Sequence, residues 1–249
     1  MRGFMKALRL PRLPANAPIP RYGNRRRPVQ TFLIALGFTI ACTLAALMGG
    51  GRAGGAPVEA PVRVVALGDS LTAGFGLPAE AAFPEQLARA LSAKGKAVAM
   101  TNAGVSGDTA ADGLARLAWS VPEGTEAVIV ELGANDALRG LDPQITRTAL
   151  EAILRGLKQR RIAVLLAGML APPNLGEDYT RTFDAIFPGL AAQFETLFYP
   201  FFLDGVAANP ALNQADGMHP TAAGVDIIVH KILPKVEELI EFARSNRQN

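Results

Sequence analysis

Arg63-Val64-Val65-Ala66-Leu67, running straight into Gly68-Asp69-Ser70-Leu71, is the stretch on which the reading of this chain turns. A short valine-rich run closed by a glycine and two turn-forming residues has the form of a buried strand and its exit. The pattern recurs. Residues 97–102, 127–132, 162–166 and 197–201 are further apolar runs of strand length, and helical periodicity occupies 84–94, 109–119, 142–161, 179–194 and 222–242. The clearest of these helices is 142–161, with Asp142 as N-cap, Pro143 at the first helical position, and Ile145, Leu150, Ile153, Leu154 and Leu157 on one face. Five strands alternating with helices predict a three-layer α/β/α domain around a five-stranded parallel sheet. Such sheets carry their ligand sites at the carboxyl ends of the strands.

Outside that domain the composition changes. The chain has 249 residues, 25 Lys and Arg against 22 Asp and Glu. Nine of the bases and none of the acids lie in residues 1–56, which leaves 16 bases and 22 acids, about −6, for residues 57–249. The basic balance of the whole chain therefore belongs to its first segment and gives no reason to expect a nucleic-acid partner. Arg25, Arg26 and Arg27 precede an uncharged apolar run, 31–48, and a small-residue stretch, 49–56, which is the layout of an export leader. Gly51, Arg52 and Ala53 offer a small-x-small cleavage site. The 18-residue run also fits an uncleaved anchor, and the arginines hint at a twin-arginine signal in which Pro28 sits awkwardly. Cys42, the single cysteine, lies in this run without the Leu that lipoprotein signals prefer three residues before it, and it excludes both an intrachain disulfide and a thiol-pair redox function. The expectation is a periplasmic or secreted domain, 57–249, behind a leader, 1–56.

Four elements then carry chemistry. Gly68-Asp69-Ser70-Leu71 places a hydroxyl at the end of the first strand. Asn102-Ala103-Gly104-Val105-Ser106-Gly107-Asp108-Thr109 follows the second, where glycines let backbone N–H groups approach a ligand, and where Asp108 or Thr109 can cap a helix. Glu131-Leu132-Gly133-Ala134-Asn135-Asp136 follows the third and brings a side-chain amide. Asp216-Gly217-Met218-His219-Pro220 precedes the last helix and sets a carboxylate three residues from an imidazole. Each alone has an ordinary structural reading as a turn or a cap. Together they fall at three successive strand ends and just before the final helix, in the order that a serine hydrolase uses.

With these blocks at Ser70, Gly104, Asn135 and His219 with Asp216, residues 63–239 resemble the SGNH, or GDSL, hydrolase family. Ser-Gly-Asp-Thr at 106–109, Val-Glu-Leu-Gly-Ala-Asn-Asp at 130–136, Leu-Arg-Gly at 138–140 and Pro-Phe-Phe-Leu at 200–203 look like its bacterial periplasmic thioesterase/lysophospholipase/arylesterase group. The resemblance implies a flavodoxin-like fold and acyl transfer to water. Ser70 needs a base, and His219 is the only plausible one, His230 lying within the last helix pattern. Asp216 would orient the imidazole. The implied oxyanion donors are the Ser70 N–H, the Gly104 N–H and the Asn135 amide. Asp69 is expected to order its turn and Asp136 the loop after it, with no proton-transfer step for either.

No cofactor or metal is called for, and the partner expected is a small-molecule or lipid ester, with a membrane involved only through the leader or a lipid substrate. Apolar residues in 169–173 and 183–188 could line an acyl groove or could be ordinary core; Trp119 is expected to pack. Two rivals stay in view. One is a carbohydrate O-acetylesterase of the same fold, favoured by a polar, shallow pocket; the other is a noncatalytic envelope lipid-binding protein.

Overall fold

The structure is a computed structural model and describes residues 60–247. The leader, 1–56, lies outside the described residues. Five strands form one parallel sheet: β1 (Val62–Gly68), β2 (Val98–Gly104), β3 (Ala127–Glu131), β4 (Ala163–Ala167) and β5 (Leu197–Tyr199), in the order β2-β1-β3-β4-β5. β1, β3 and β4 are buried almost throughout, and their Val, Ile, Leu and Ala residues read as continuous apolar runs because helices cover both faces.

The helices follow the handedness of the crossovers. The chain steps from β1 outward to β2, then returns past β1 and proceeds through β3, β4 and β5, so right-handed connections put the first crossover on one face and the later ones on the other. Accordingly α2 (Phe83–Ala93) packs with the long final helix α9 (Ala222–Arg247) on one side. On the other, α3 (Ala110–Ala115), α6 (Pro143–Gln159) and α8 (Ile186–Phe194) pack together. α6 begins as its sequence predicts, with the Asp142 carboxylate accepting from Gln144 N–H and Pro143 in the first turn. This is the expected three-layer α/β/α fold. The direction of chain travel reverses beside β1, so the crevice between the carboxyl ends of β1 and β3 is where such a sheet offers a site.

Four expectations change. The helix read across 109–119 is two, α3 and α4 (Leu117–Ser120), broken at Arg116. The helix read across 179–194 is α7 (Glu177–Asp184) and α8, separated at Ala185. β5 stops at Tyr199, not 201, with Phe202 turned into the core. Trp119 is 71% exposed and does not pack into the core, although its ring lies 6.0 Å from the Arg116 guanidinium.

Candidate active site

β1 delivers Ser70 through a turn that admits little variation. Asp69 caps the one-turn helix α1 (Ser70–Ala73) by accepting from Leu71 N–H at 2.9 Å. Gly68 sits where a Cβ would lie 2.1 Å from the Thr72 hydroxyl and 2.6 Å from a Glu131 carboxyl oxygen, so only glycine leaves room for what lies beneath the turn. That layer is ionisable. Thr72 donates to Glu131 Oε2 at 2.6 Å, while Glu131 Oε1 is buried without a partner among the described residues. Burial, reinforced by the charge of Asp69, holds the Glu131 carboxyl well above the ordinary range. Burial also pushes Asp69 up to about 6, against hydrogen bonds from Leu71 N–H and the Asn135 amide that favour its ionised form.

β2 delivers Gly104 beside this turn. A Cβ at Gly104 would come within 2.3 Å of Ala73 N and 2.7 Å of its Cα, so the backbone after β2 lies directly against α1. β3 delivers Asn135 on α5 (Ala134–Leu138), after Gly133 turns the chain at φ 116°. Asp136 beside it accepts from Ala110 N–H at 2.9 Å and from the Thr146 hydroxyl at 2.9 Å, tying α5 to the starts of α3 and α6. It therefore orders more than its own loop. Of the two residues proposed as caps in the second block, Thr109 is the one used, in a capping box with Asp112.

The Asp216–His219 segment comes from a stretch of turns before α9. Its ring closes the set: His219 Nδ1 lies 2.6 Å from Asp216 Oδ2, and Nε2 lies 2.9 Å from Ser70 Oγ. Asp216 is held at about 2 by N–H donors of His219 and Met218 and by the His219 ring, so it is a carboxylate and accepts only. Nδ1 then carries the proton, and Nε2 is free to accept from the serine hydroxyl. Gln214 clips the segment in place, its N–H donating to His219 O at 2.7 Å and its amide to Phe75 O at 2.7 Å and Pro220 O at 3.0 Å. The Phe75 ring lies against the imidazole, centroids 4.5 Å apart. His230 is on the exposed side of α9, bonded to Asp226 O.

The four blocks thus converge, with two differences from expectation. Gly104 N–H is not aimed at the serine: Val105 N–H faces β1 and donates to Gly68 O at 3.0 Å, so Gly104 N–H points to the outer edge of β2, where it donates to Asn102 Oδ1 at 3.0 Å. The Asn135 amide is already engaged, donating to Asp69 Oδ2 and Asp108 O, both at 3.0 Å. Gln214, Glu131 and Asn102 were not singled out. Nor was Arg116, although a charged residue on the buried stripe of Ala110, Gly113 and Ser120 is a signal that the sequence carries. Of the stretches proposed as an acyl groove, Met169, Phe183, Ile186 and Phe187 are core, and Leu170 is the large apolar side chain left exposed. It joins Phe75, Val105, Leu138 and Met218 in an exposed apolar rim, each on a segment after a strand end or within the Asp216–His219 loop.

Comparison with known proteins identifies the family. Esterase TesA of Pseudomonas aeruginosa is 35% identical over 178 residues, 71% of this chain and 89% of that protein. Thioesterase 1/protease 1/lysophospholipase L1 of Escherichia coli K12 is 38% identical over 175 residues, 70% of this chain and 83% of that protein. The crystal structure of AlinE4, an SGNH-hydrolase family esterase, superposes with a TM-score of 0.62 at 45% identity, covering 72% of this chain and 97% of that one. The model of the GDSL-like lipase/acylhydrolase family matches residues 66–227, a span that begins inside β1 and ends in α9 and so takes in every one of the four blocks: the chain belongs to that family.

Proposed function

We propose that the protein hydrolyses carboxylic esters, and acyl thioesters with them, through a Ser70-His219-Asp216 triad. The observation that carries this is the unbroken relay from Asp216 Oδ2 to His219 at 2.6 Å and from His219 to Ser70 Oγ at 2.9 Å. In the first half-reaction Ser70 Oγ bonds to the acyl carbon, its proton passes to His219 Nε2, and the carbon–oxygen or carbon–sulfur bond to the leaving group breaks as that group takes the proton. Water then attacks the acyl-enzyme by the same route and releases the acid. Asp216 stabilises the imidazolium and keeps its own charge.

The oxyanion is received by the Ser70 N–H and the Asn135 amide, each worth on the order of 3 kcal/mol in the transition state. For this the Asn135 amide must share its protons with the incoming charge, as three-centre bonds allow. The apolar rim favours aryl esters, lysophospholipids or acyl thioesters over an acetylated carbohydrate, which a polar, shallow surface would suit. An intact relay argues against a noncatalytic lipid carrier. The basic and apolar leader supports export to the periplasm or medium.

The test is a panel of p-nitrophenyl esters from acetate to palmitate with lysophosphatidylcholine, an acyl thioester and acetylated xylan alongside, run on the wild type and Ser70→Ala. Hydrolysis of the apolar substrates that disappears in Ser70→Ala is the expected result. A preference for acetylated xylan would replace the substrate class, and turnover by Ser70→Ala would remove the mechanism.

A further inference from the structure

Arg116 is buried, 6% exposed, and its guanidinium does not reach any atom of the triad. What it reaches is the framework. Nη2 donates to Gly68 O at 2.8 Å, Nη1 to Ala103 O at 2.8 Å and to Ser120 Oγ at 2.9 Å, and Nε to Asp108 Oδ2 at 2.6 Å. Two of those acceptors belong to the segments that present or hold oxyanion donors. Gly68 O is the last carbonyl of β1, two residues before Ser70. Ala103 O stands near it at the end of β2. Asp108 supplies the backbone carbonyl that holds the Asn135 amide.

Resting on the hydrolase reading above, we propose that Arg116 is a positioning residue for the oxyanion hole: one guanidinium locks the ends of β1 and β2 and the Asp108 turn into a single frame. Its fork is what the role requires, because five N–H groups in one plane can serve acceptors on three separate segments, whereas an ammonium on a flexible stem cannot hold the same geometry. The break between α3 and α4 falls at this residue, where the chain leaves helical geometry at φ −102°, ψ 4°.

The experiment compares wild type, Arg116→Lys, Asp108→Asn and Ile240→Ala, the last a core truncation in α9 remote from the site that serves as a reference for lost stability. For each, kcat and KM on p-nitrophenyl butyrate, the Ki of a trifluoromethyl ketone whose adduct with Ser70 carries an oxyanion, and the melting temperature are measured per titrated active site. Arg116→Lys is expected to lower kcat by about 10- to 100-fold with KM within about twofold, and to raise the ketone Ki by the same factor as kcat/KM falls. Ile240→Ala is expected to melt earlier with kcat and Ki unchanged. Normal kcat and Ki in folded Arg116→Lys would overturn the proposal and leave Arg116 a stabilising residue only. If Arg116→Lys does not fold, Asp108→Asn decides: a kcat several-fold lower at constant KM upholds the frame, and an unchanged kcat and Ki overturns it. Ser70→Ala keeps the two readings apart, since turnover there defeats the hydrolase assignment, whereas a dead Ser70→Ala with normal Arg116 and Asp108 variants defeats only the positioning role.

Discussion

Ser70 and Asn135 follow the buried strands β1 and β3, on a layer of buried polar groups, while Asp216 and His219 stand on a stretch of turns, partly open to solvent, held mainly by Gln214 and the bridge between Asn213 and Pro220. The first half is fixed by backbone contact: Gly104 against Ala73, Gly68 against Thr72 and Glu131. The second is fixed by a few hydrogen bonds at the surface. Stabilising a charge that exists only at the transition state rewards donors that need no reorganisation, whereas a base that receives and returns a proton tolerates a looser mount. The site is therefore assembled from a rigid receiving half and a clipped-on proton-transfer half.

The harshest break of that comparison removes one essential atom from each half. Ser70→Ala and His219→Ala are each expected to lower kcat by roughly 10⁴-fold or more, and the double variant to cost no more than either, because the two act as a unit. Kinetics of all three on one ester check this; additive losses would mean that the halves act independently. Next, Asn135→Ala removes a donor from the rigid half and should lower kcat by roughly 10²- to 10³-fold with little change in KM. A parallel fall in melting temperature and rise in KM would instead mark Asn135 as a brace between Asp69 and Asp108.

Gln214→Ala loosens the other half without touching a reacting atom. Its expected cost is roughly three- to tenfold in kcat, with only a small change in melting temperature, since the clip is exposed and local. The smallest effect belongs to Glu131→Gln, which should leave kcat within about twofold, because the carboxyl touches no reacting atom. It sharpens the contrast through pH. Burial raises both the Asp69 and Glu131 carboxyls in the folded state, so the native protein holds more protons than the unfolded chain above the ordinary carboxylate range, for Asp69 up to about 6, and their stabilisation, complete below that range, is lost as pH rises through the folded values. Glu131→Gln should flatten this loss, measured as the denaturant midpoint against pH between 4 and 7.5. A slope identical to wild type would show that the buried pair is not its source.

The four blocks were legible in the sequence because each is local. Gly68 to Leu71 or Asp216 to His219 announces itself within a few residues, and strand ends converge by topology once the strands are recognised. Arg116 was not legible in the same way, since its acceptors Gly68 O and Ala103 O lie 48 and 13 residues away and no periodicity predicts a side chain bonding to carbonyls on two other strands. The same limit applies to the groove. Phe183 and Phe187 are apolar whether they face a substrate or the Gly133 turn, and only packing distinguishes the two; here Phe187 lies against the space above Gly133. The helix break at Arg116 escaped for a related reason, since it is neither a glycine nor a proline and its guanidinium is drawn to other segments. The break at Ala185 had a local signal, because Pro188 cannot donate to Asp184 O and so belongs to the first turn of a new helix.

The contact of Gly104 with Ala73 leaves no volume for a side chain, so the inner site has no mutational freedom to spend on new substrates. Variation open to laboratory evolution lies one layer out, at Phe75, Val105, Leu138, Leu170 and Met218, which are exposed and contribute no donor to the oxyanion. A library restricted to those five positions should redistribute acyl-chain preference among clones that remain folded. One directed at Gly68 or Gly104 should return mostly inactive protein, whatever substrate is used in the screen.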